Sequence, residues 1–555
     1  MGRKYNSLEE VPEEIKGKLK SYFSNVGGAT FVIHGLPSEL TGGALARYSR
    51  ASTGMQLTLV NEFLDENGDP SQTKGTELMD RVLNAYGDDS VGELEGVHIG
   101  IEDISQIGTK FIEDRRIGGS PIEQSTRYVK YDVKDKHGKW RYLRPKEIID
   151  SGKLELFEEV NNRAFEVYSE GIKKLIEYFK IQLPKEKFSI DGEREGKKVK
   201  LIERELQEES EKKAFQTAYN FTVRCAALDV GRCVLPSSTL THLGVFGNGR
   251  FMTNLITYMK SNELYEARER GSQLEEELKK VIPTFIKRNR VNPSVSEINK
   301  EMKDIAHKLF STIKPEDKKV ALVNRSSYLD EIVATSLFPY TNISLNQIIN
   351  EIEKMPEEKK NKILKSYMGN RQTRRDRTGR GFEAGYPITF DLVGGFAEYR
   401  DLERHRILTQ QRQDLTTDLG FIMPPEMSEV KIEKEVKEVV EKMEYLNSEI
   451  KGAGLNAAAQ YATLFNHRMR FMLGMNLREF QHLSELRTQP AGHFSYRSMV
   501  MEMGRELEKR DPWASNAYGF INYSDPDNRI TRANEQSTIA GKNLAKKIDG
   551  SIGFE

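Results

Sequence analysis

Cysteine is nearly absent. Cys225 and Cys233 are the only two in 555 residues, which excludes a disulfide framework and a cysteine-built zinc site. Net charge is absent too: 84 Lys and Arg balance 84 Asp and Glu. Bulk electrostatics therefore gives no reason to expect nucleic acid as a partner, and any anion site has to be assembled locally. No apolar run approaches the roughly 18 residues that a membrane helix takes. The N-terminus MGRKYNSLEEVPEEIK lacks the apolar core of a signal peptide, so a cytoplasmic protein without membrane contact is expected. Phosphate-binding fingerprints are missing as well. There is no P-loop and no strand-linked G-x-G-x-x-G, since GVFGNGRF is too irregular. No metal site is expected. What is there is length: 555 residues exceed one ordinary core, and 37% hydrophobic with 30% charged residues fits a globular chain of two or more domains.

Two stretches share an order of elements. In the first, Gly92-Glu93 precedes Val97, Ile99 and Ile101, apolar at alternate positions, which reads as a half-buried strand; Arg115-Arg116 and Glu123-Gln124-Ser125-Thr126-Arg127-Tyr128 follow. In the second, Phe382-Glu383 precedes Ile388, Phe390 and Leu392, and Arg404-His405-Arg406 follows. Each half carries an Asn-x-Arg after a helical stretch, Asn248-Gly249-Arg250 and Asn476-Leu477-Arg478. The parallel order suggests an old duplication, with halves 1–295 and 296–555. The boundary is placed near IKRNRVNPSVSEINKEM, where Asn292-Pro293-Ser294 interrupts two helical patterns. One helix puts Leu264, Ala267, Leu274, Leu278 and Val281 near one face, and another does so with Val436, Val439, Val440, Met443 and Ile450. Residues 132–215 are highly charged and read as an insertion, a solvated helical excursion on the first half.

Three adjacent polar, mostly cationic residues after an apolar strand, Arg404-His405-Arg406, call for an anion. Guanidinium groups suit a phosphate because their planar fork gives paired, charge-assisted hydrogen bonds. The candidates are Arg127 and Arg232 in the first half, and Arg404 and Arg487 in the second. Each has an ordinary reading when taken singly: Arg127 as a surface strand residue, Arg232 as a helix-end ion pair, Arg487 as a solvated helix residue. His405 is expected neutral, because flanking cations depress its protonation. His482 and His493, by themselves, read as hydrogen-bonded buried histidines.

Together, Arg404-His405-Arg406 and the E-x-S-x-R-Y segment at 123–128 resemble the signature of the flavin-dependent thymidylate synthases, as does Arg232 ahead of Leu235-Pro236. The resemblance implies an α+β chain: two tandem copies of that family's fold, an antiparallel sheet flanked by helices. It implies FAD as cofactor and conversion of dUMP to dTMP, with methylene-tetrahydrofolate as carbon donor and NADPH as reductant. In that family the sites are shared between subunits of a tetramer. Here the first half keeps Glu123, Ser125, Arg127 and Arg232, one subunit's contribution. The second keeps Arg404, His405, Arg406, Asn476, Arg478 and Arg487, the other's. What each half has lost, the other retains. The place of the RHR turn in the first half reads Asp114-Arg115-Arg116 or Arg115-Arg116-Ile117, and Met259-Lys260 replaces the helical arginine. One composite site per chain follows, the opposite one being dead, with a homodimer mimicking the tetramer.

By the same resemblance Glu123, Gln124, Ser125, Arg127, Arg232, Arg404 and Arg487 bind the substrate. Ser125, Arg404 and Arg487 are nearest the chemistry, Ser125 as an orienting hydroxyl. His405, Arg406, Ile407, Asn476, Arg478 and His482 line the flavin, and Glu93 and Glu383 match a flavin-side glutamate weakly. Two departures bear on activity. Asp401 stands three residues before the RHR turn, where the family has glutamine, and repels a phosphate unless it is bonded to Arg404. Ile122 stands where many members have asparagine. A hydroxymethylating or otherwise altered pyrimidine enzyme stays open, as does a non-catalytic flavin- or nucleotide-binding protein. A bare scaffold would leave the four arginines scattered and facing solvent.

Overall fold

The structure is a computed structural model that describes residues 5–49, 51–71, 77, 92–287, 293–324, 327–369, 380–512, 520–525 and 527–548. The proposed boundary stretch 288–292 lies outside them. The chain forms two compact units. One holds Met1–Ile104, Gly108–Glu123 and His242–Ser296; the other holds Ser105–Ile107, Gln124–Thr241 and Glu297–Glu555. Compact units and sequence halves are thus different divisions, because 124–241 of the first half lies in the second unit.

The first sheet runs β1 (Gly96–Ser105), β5 (Leu240–Asn248) and β2 (Gly119–Glu123), in that spatial order. Helix α1 (Gln106–Glu113) connects β1 to β2. Helix α4 (Gly249–Lys260) leaves directly from β5, its N-terminus capped by the Asn248 side chain, which accepts from Phe251 N–H. The Asn-x-Arg therefore follows a strand and starts a helix, where the sequence suggested the end of a helical stretch. Helix α5 (Tyr265–Leu278) buries Ala267, Leu274 and Leu278, with Leu264 just ahead of it. Val281 lies past the helix end and is 47% exposed, so it leaves the expected apolar face. Further helices Ser38–Tyr48 and Met55–Glu62 carry a separate core around Leu40, Leu59 and Phe63.

In the second unit β6 (Val320–Leu322), β7 (Ile388–Gly395), β9 (Arg468–Met475) and β8 (Thr409–Arg412) form an antiparallel sheet in that order. The expected alternation on β7 is present, yet its other face is also buried. Phe390 stacks on Phe480 on one side, while Met472 of β9 joins the core of helices Tyr328–Leu337 and Leu345–Glu353 on the other. Asp391 tolerates burial because Arg470 Nη1–H donates to it at 2.8 Å and Leu345 N–H at 2.6 Å.

The charged stretch 132–215 is not a solvated excursion. Its helix α2 (Leu154–Gln182) buries Phe157, Ala164, Phe165, Tyr168, Ile172, Leu175 and Phe179, an i, i+3/i+4 stripe. Helix α2 packs on α3 (Glu209–Gly231) and on α7 (Glu433–Gly452). Only the hairpin β3 (Ser189–Arg194) and β4 (Lys197–Ile202) is added between them, covered by the C-terminal helix Ala533–Ile548. The charges read from sequence lie on the outer face of α2 and on the hairpin. On α7, Val436, Val439, Met443 and Ile450 are buried, and Val440 is half-buried.

The two sheets share one plan. β7 leads into α6 (Phe396–Leu402), β8, α7 and β9. Helices α8 (Leu477–Arg487) and α9 (Phe494–Arg510) then follow, as β1, α1, β2, α2, β5, α4 and α5 do earlier, with β3, β4 and α3 interposed between α2 and β5. Strand orders correspond as well, β1-β5-β2 against β7-β9-β8. Equating the capping residues Asn248 and Asn476 places Phe246 at Gly474; these pair with Ser120 and Thr409 respectively. That register puts Arg115-Arg116-Ile117, and not Asp114-Arg115-Arg116, at the place of Arg404-His405-Arg406. Among the described residues no helix is long and apolar enough to cross a membrane, and no group of three or more His, Cys, Asp and Glu side chains is arranged to hold a metal.

Candidate active site

The four candidate arginines and the acids that tie them lie within the second unit, at the ends of three elements. Helix α3 stops at Gly231, where a side-chain Cβ would lie 2.3 Å from Ile172 Cδ1, so any larger residue would require that methyl to move. The following turn buries Arg232, 3% exposed. Its Nη2–H donates to Asp401 Oδ2 at 3.2 Å and its Nη1–H to Thr126 Oγ1 at 3.4 Å, while its buried Nε–H has no hydrogen-bond partner among the described residues. Arg127, 8% exposed, grips Asp229 bidentately, Nε to Oδ1 at 2.7 Å and Nη2 to Oδ2 at 2.8 Å. Asp401, near the end of α6, also accepts from Arg404 Nη2–H at 3.1 Å.

These acids are held as anions. Burial pushes both upward, and the guanidinium groups outweigh it. Arg127 brings Asp229 down to about 2, and Arg232 with Arg404 holds Asp401 well below the usual carboxylate range. Four guanidinium groups against two carboxylates leave an excess of two positive charges, the charge of a phosphomonoester dianion. The acid read as a possible obstacle to phosphate is thus the pivot that joins Arg232 of one half to Arg404 of the other. All four arginines feel it electrostatically. The scattered arrangement of a bare scaffold is not found.

His405 follows Arg404 and is 4% exposed. Its Nδ1 lies 2.9 Å from Glu479 Oε1, and its Nε2 accepts from Arg487 Nε–H at 2.9 Å. Burial lowers its proton affinity, Glu479 opposes this and Arg487 reinforces it, so the ring is neutral. The Arg487 guanidinium lies 5.8 Å above the Tyr496 ring. His493 caps α9 and is pushed down to about 3 by burial and then by Arg232. Its Nε2–H donates to the Asp229 carbonyl at 3.1 Å, so it is the buried, hydrogen-bonded histidine the sequence suggested. His482 is not, being exposed on α8 with its ring centroid 5.6 Å from that of His405.

Arg404, Arg406, Ile407, Asn476, Arg478 and His482 are exposed, Ile407 at 68%. Asn476 caps α8 by accepting from Glu479 N–H at 3.0 Å. Guanidinium, imidazole and carboxamide donors beside an exposed aliphatic side chain fit an anionic dinucleotide with a flat ring, so this donor set suits a flavin. The E-x-S-x-R segment divides. Ser125 Oγ accepts from Arg127 N–H at 3.3 Å and Gln124 Oε1 from Tyr131 O–H at 3.3 Å, both in the second unit. Glu123 ends β2 in the first unit, its carboxylate 3.9 Å from Lys110. The sequence reading missed Asp229, three residues before Arg232 and so one turn away, and Glu479, the third residue of α8.

A family model described as thymidylate synthase complementing protein matches residues 40–284 and again 308–513. The chain belongs to the flavin-dependent thymidylate synthase family. The double match agrees with a tandem duplication. Relatives of similar length include a UPF0159 protein of Chlamydia muridarum (strain MoPn / Nigg), 34% identical over 93% of this chain and 97% of its own. A UPF0159 protein of Chlamydia pneumoniae is 33% identical over 95% and 98%, and one of Thermoplasma acidophilum 31% over 90% and 99%. Within the thymidylate synthase family, this chain's arginines are tied to one another by acids, Asp229 and Asp401, that the motif did not announce.

Proposed function

We propose that this chain is a thymidylate synthase that methylates dUMP to dTMP, taking the carbon from methylene-tetrahydrofolate and two electrons from NADPH through FAD. The observation that carries this reading is the gathering of Arg127 and Arg232 with Arg404 and Arg487 around Asp401 within one compact unit. Each chain then holds one composite site made from two tandem copies of the fold, 1–295 and 296–555, and a homodimer holds two.

The four arginines neutralise the dUMP phosphate and polarise the uracil carbonyls. The Arg232 Nε–H, which has no hydrogen-bond partner among the described residues, and the exposed Arg404 side chain are the groups assigned to the phosphate. Gln124, Ser125 and Glu123 orient the nucleotide. Ser125 is an orienting hydroxyl, its Oγ accepting from the Arg127 backbone N–H. Arg406, Ile407, Asn476, Arg478 and His482 hold the flavin, with His405 behind them. When bound, the flavin supplies the reduction that takes the transferred carbon from the methylene to the methyl level.

The test is the absorbance spectrum of the purified protein, followed by anaerobic NADPH addition with and without dUMP. A flavin band that bleaches faster with dUMP is the expected result, and dTMP formation is then assayed. Bound flavin that NADPH does not reduce identifies a binding protein without turnover. A colourless protein that takes up no FAD overturns the flavoenzyme reading.

A further inference from the structure

The Glu479 carboxylate occupies a place that neither motif assigns. It is 5% exposed and belongs to α8, whose far end carries Arg487. Between the two carboxylate and guanidinium groups sits the His405 ring, 2.9 Å from Glu479 on its Nδ1 side and 2.9 Å from Arg487 Nε on the other. A guanidinium only donates, and an ionised carboxylate only accepts. Both bonds form together with a single tautomer, the proton on Nδ1 and a bare Nε2.

We propose that Glu479 is a positioning residue: by holding the His405 proton on Nδ1 it makes Nε2 the acceptor that fixes Arg487 for an anionic ligand. The inference rests on the reading of Arg487 as a dUMP contact. It links the turn that faces the flavin to the arginine that faces the nucleotide. In the register that equates Asn248 with Asn476, the first sheet has Phe251, Arg116 and Met259 at the places of Glu479, His405 and Arg487. All three differ together, so the arrangement exists only where the histidine-bearing turn does. The charged and titratable groups facing the ring are Glu479, Arg487 and His482 of α8, with Arg404 and Arg406 beside it in the turn. Of these only Glu479 favours the protonated ring.

Isothermal titration with dUMP across pH, on the flavin-loaded protein, tests the assignment. Glu479→Leu removes the acceptor but leaves the Asn476 cap, which uses the Glu479 backbone N–H. Loss of one hydrogen bond to a charged group should weaken dUMP binding about tenfold. Glu479→Gln keeps an acceptor oxygen and should bind within about threefold of the parent near neutral pH. Its acid limb, where His405 protonates and Arg487 loses its acceptor, should move to lower pH because the supporting charge is gone. Equal affinity in Glu479→Leu, or an unmoved acid limb in Glu479→Gln, overturns the inference. If the parent itself binds no dUMP, the functional reading fails first. Nitrogen-15 histidine spectra then still decide the assignment: the signal absent from His405→Asn should be an Nδ1-protonated ring in the parent and lose that form in Glu479→Leu.

Discussion

Asp229 shows how an acid can belong to an anion site. Its carboxylate is taken up by the Arg127 fork, which it grips through both oxygens so that the guanidinium stays charged and oriented inside the protein. A buried pair broken by removing one partner typically costs about 3–5 kcal/mol, so Asp229→Asn should be destabilised by an amount of that order at neutral pH. The sign of the pH effect follows from the depressed carboxyl. Its stabilisation is complete above the unfolded value of 3.8 and is lost as pH falls through about 2. The gap in thermal midpoint between parent and Asp229→Asn should therefore be widest near neutrality and narrow only below about pH 4. A gap that is constant with pH would mean that Asp229 is not the anion holding Arg127. Arg404 stood out in the sequence because a cationic cluster after a strand has few other uses, whereas Arg127, Arg232 and Arg487 gained weight only beside it and through the family resemblance. Their acids were not legible, because an aspartate one turn before an arginine is common on any helix.

Elements set these side chains more than local motifs do. Gly231 ends α3, and its bare Cα lets the helix press against Ile172 of α2 just before the chain turns inward at Arg232. Gly231→Ala forces a methyl to within 2.3 Å of Ile172 Cδ1. Overpacking of this kind costs about 1–3 kcal/mol, and displacement of Arg232 should also weaken dUMP binding. Adding Ile172→Val removes the clashing methyl, so the double variant should recover both stability and affinity beyond the sum of the single changes. Additive effects would show that the helix contact does not govern Arg232. The same helices mark where sequence reading failed. The charges of 132–215 drew attention from the stripe Phe157, Ala164, Tyr168, Ile172 and Leu175, and a 29-residue core helix was read as solvated. One strand of each sheet, β1 and β7, was legible through alternation, but whether the second face of β7 met water depended on helices far away in sequence. Asp391, opposite Arg470, gave no sign of that in its own stretch.

At the scale of the whole chain, the division of labour can be put to a direct test. Arg127 and Arg232 come from the first half of the sequence, Arg404 and Arg487 from the second, yet Arg232 and Arg404 share the two oxygens of Asp401 within one unit. A family in which subunits complete each other's sites has a simple signature: two inactive variants, mixed, restore activity. The arrangement in this chain predicts the opposite. Arg127→Ala and Arg404→Ala should each abolish dUMP-stimulated flavin reduction. Mixed after unfolding and refolding together, so that subunits exchange, they should stay inactive, because every site carries one damaged half. A single chain bearing both substitutions, mixed with the parent, should leave the parent's activity per chain unchanged. Rescue in the first mixture would show that each site draws its two halves from different chains. The bonds among Arg232, Asp401 and Arg404 would then be structural, and the nucleotide would bind elsewhere on the same arginine-bearing turns.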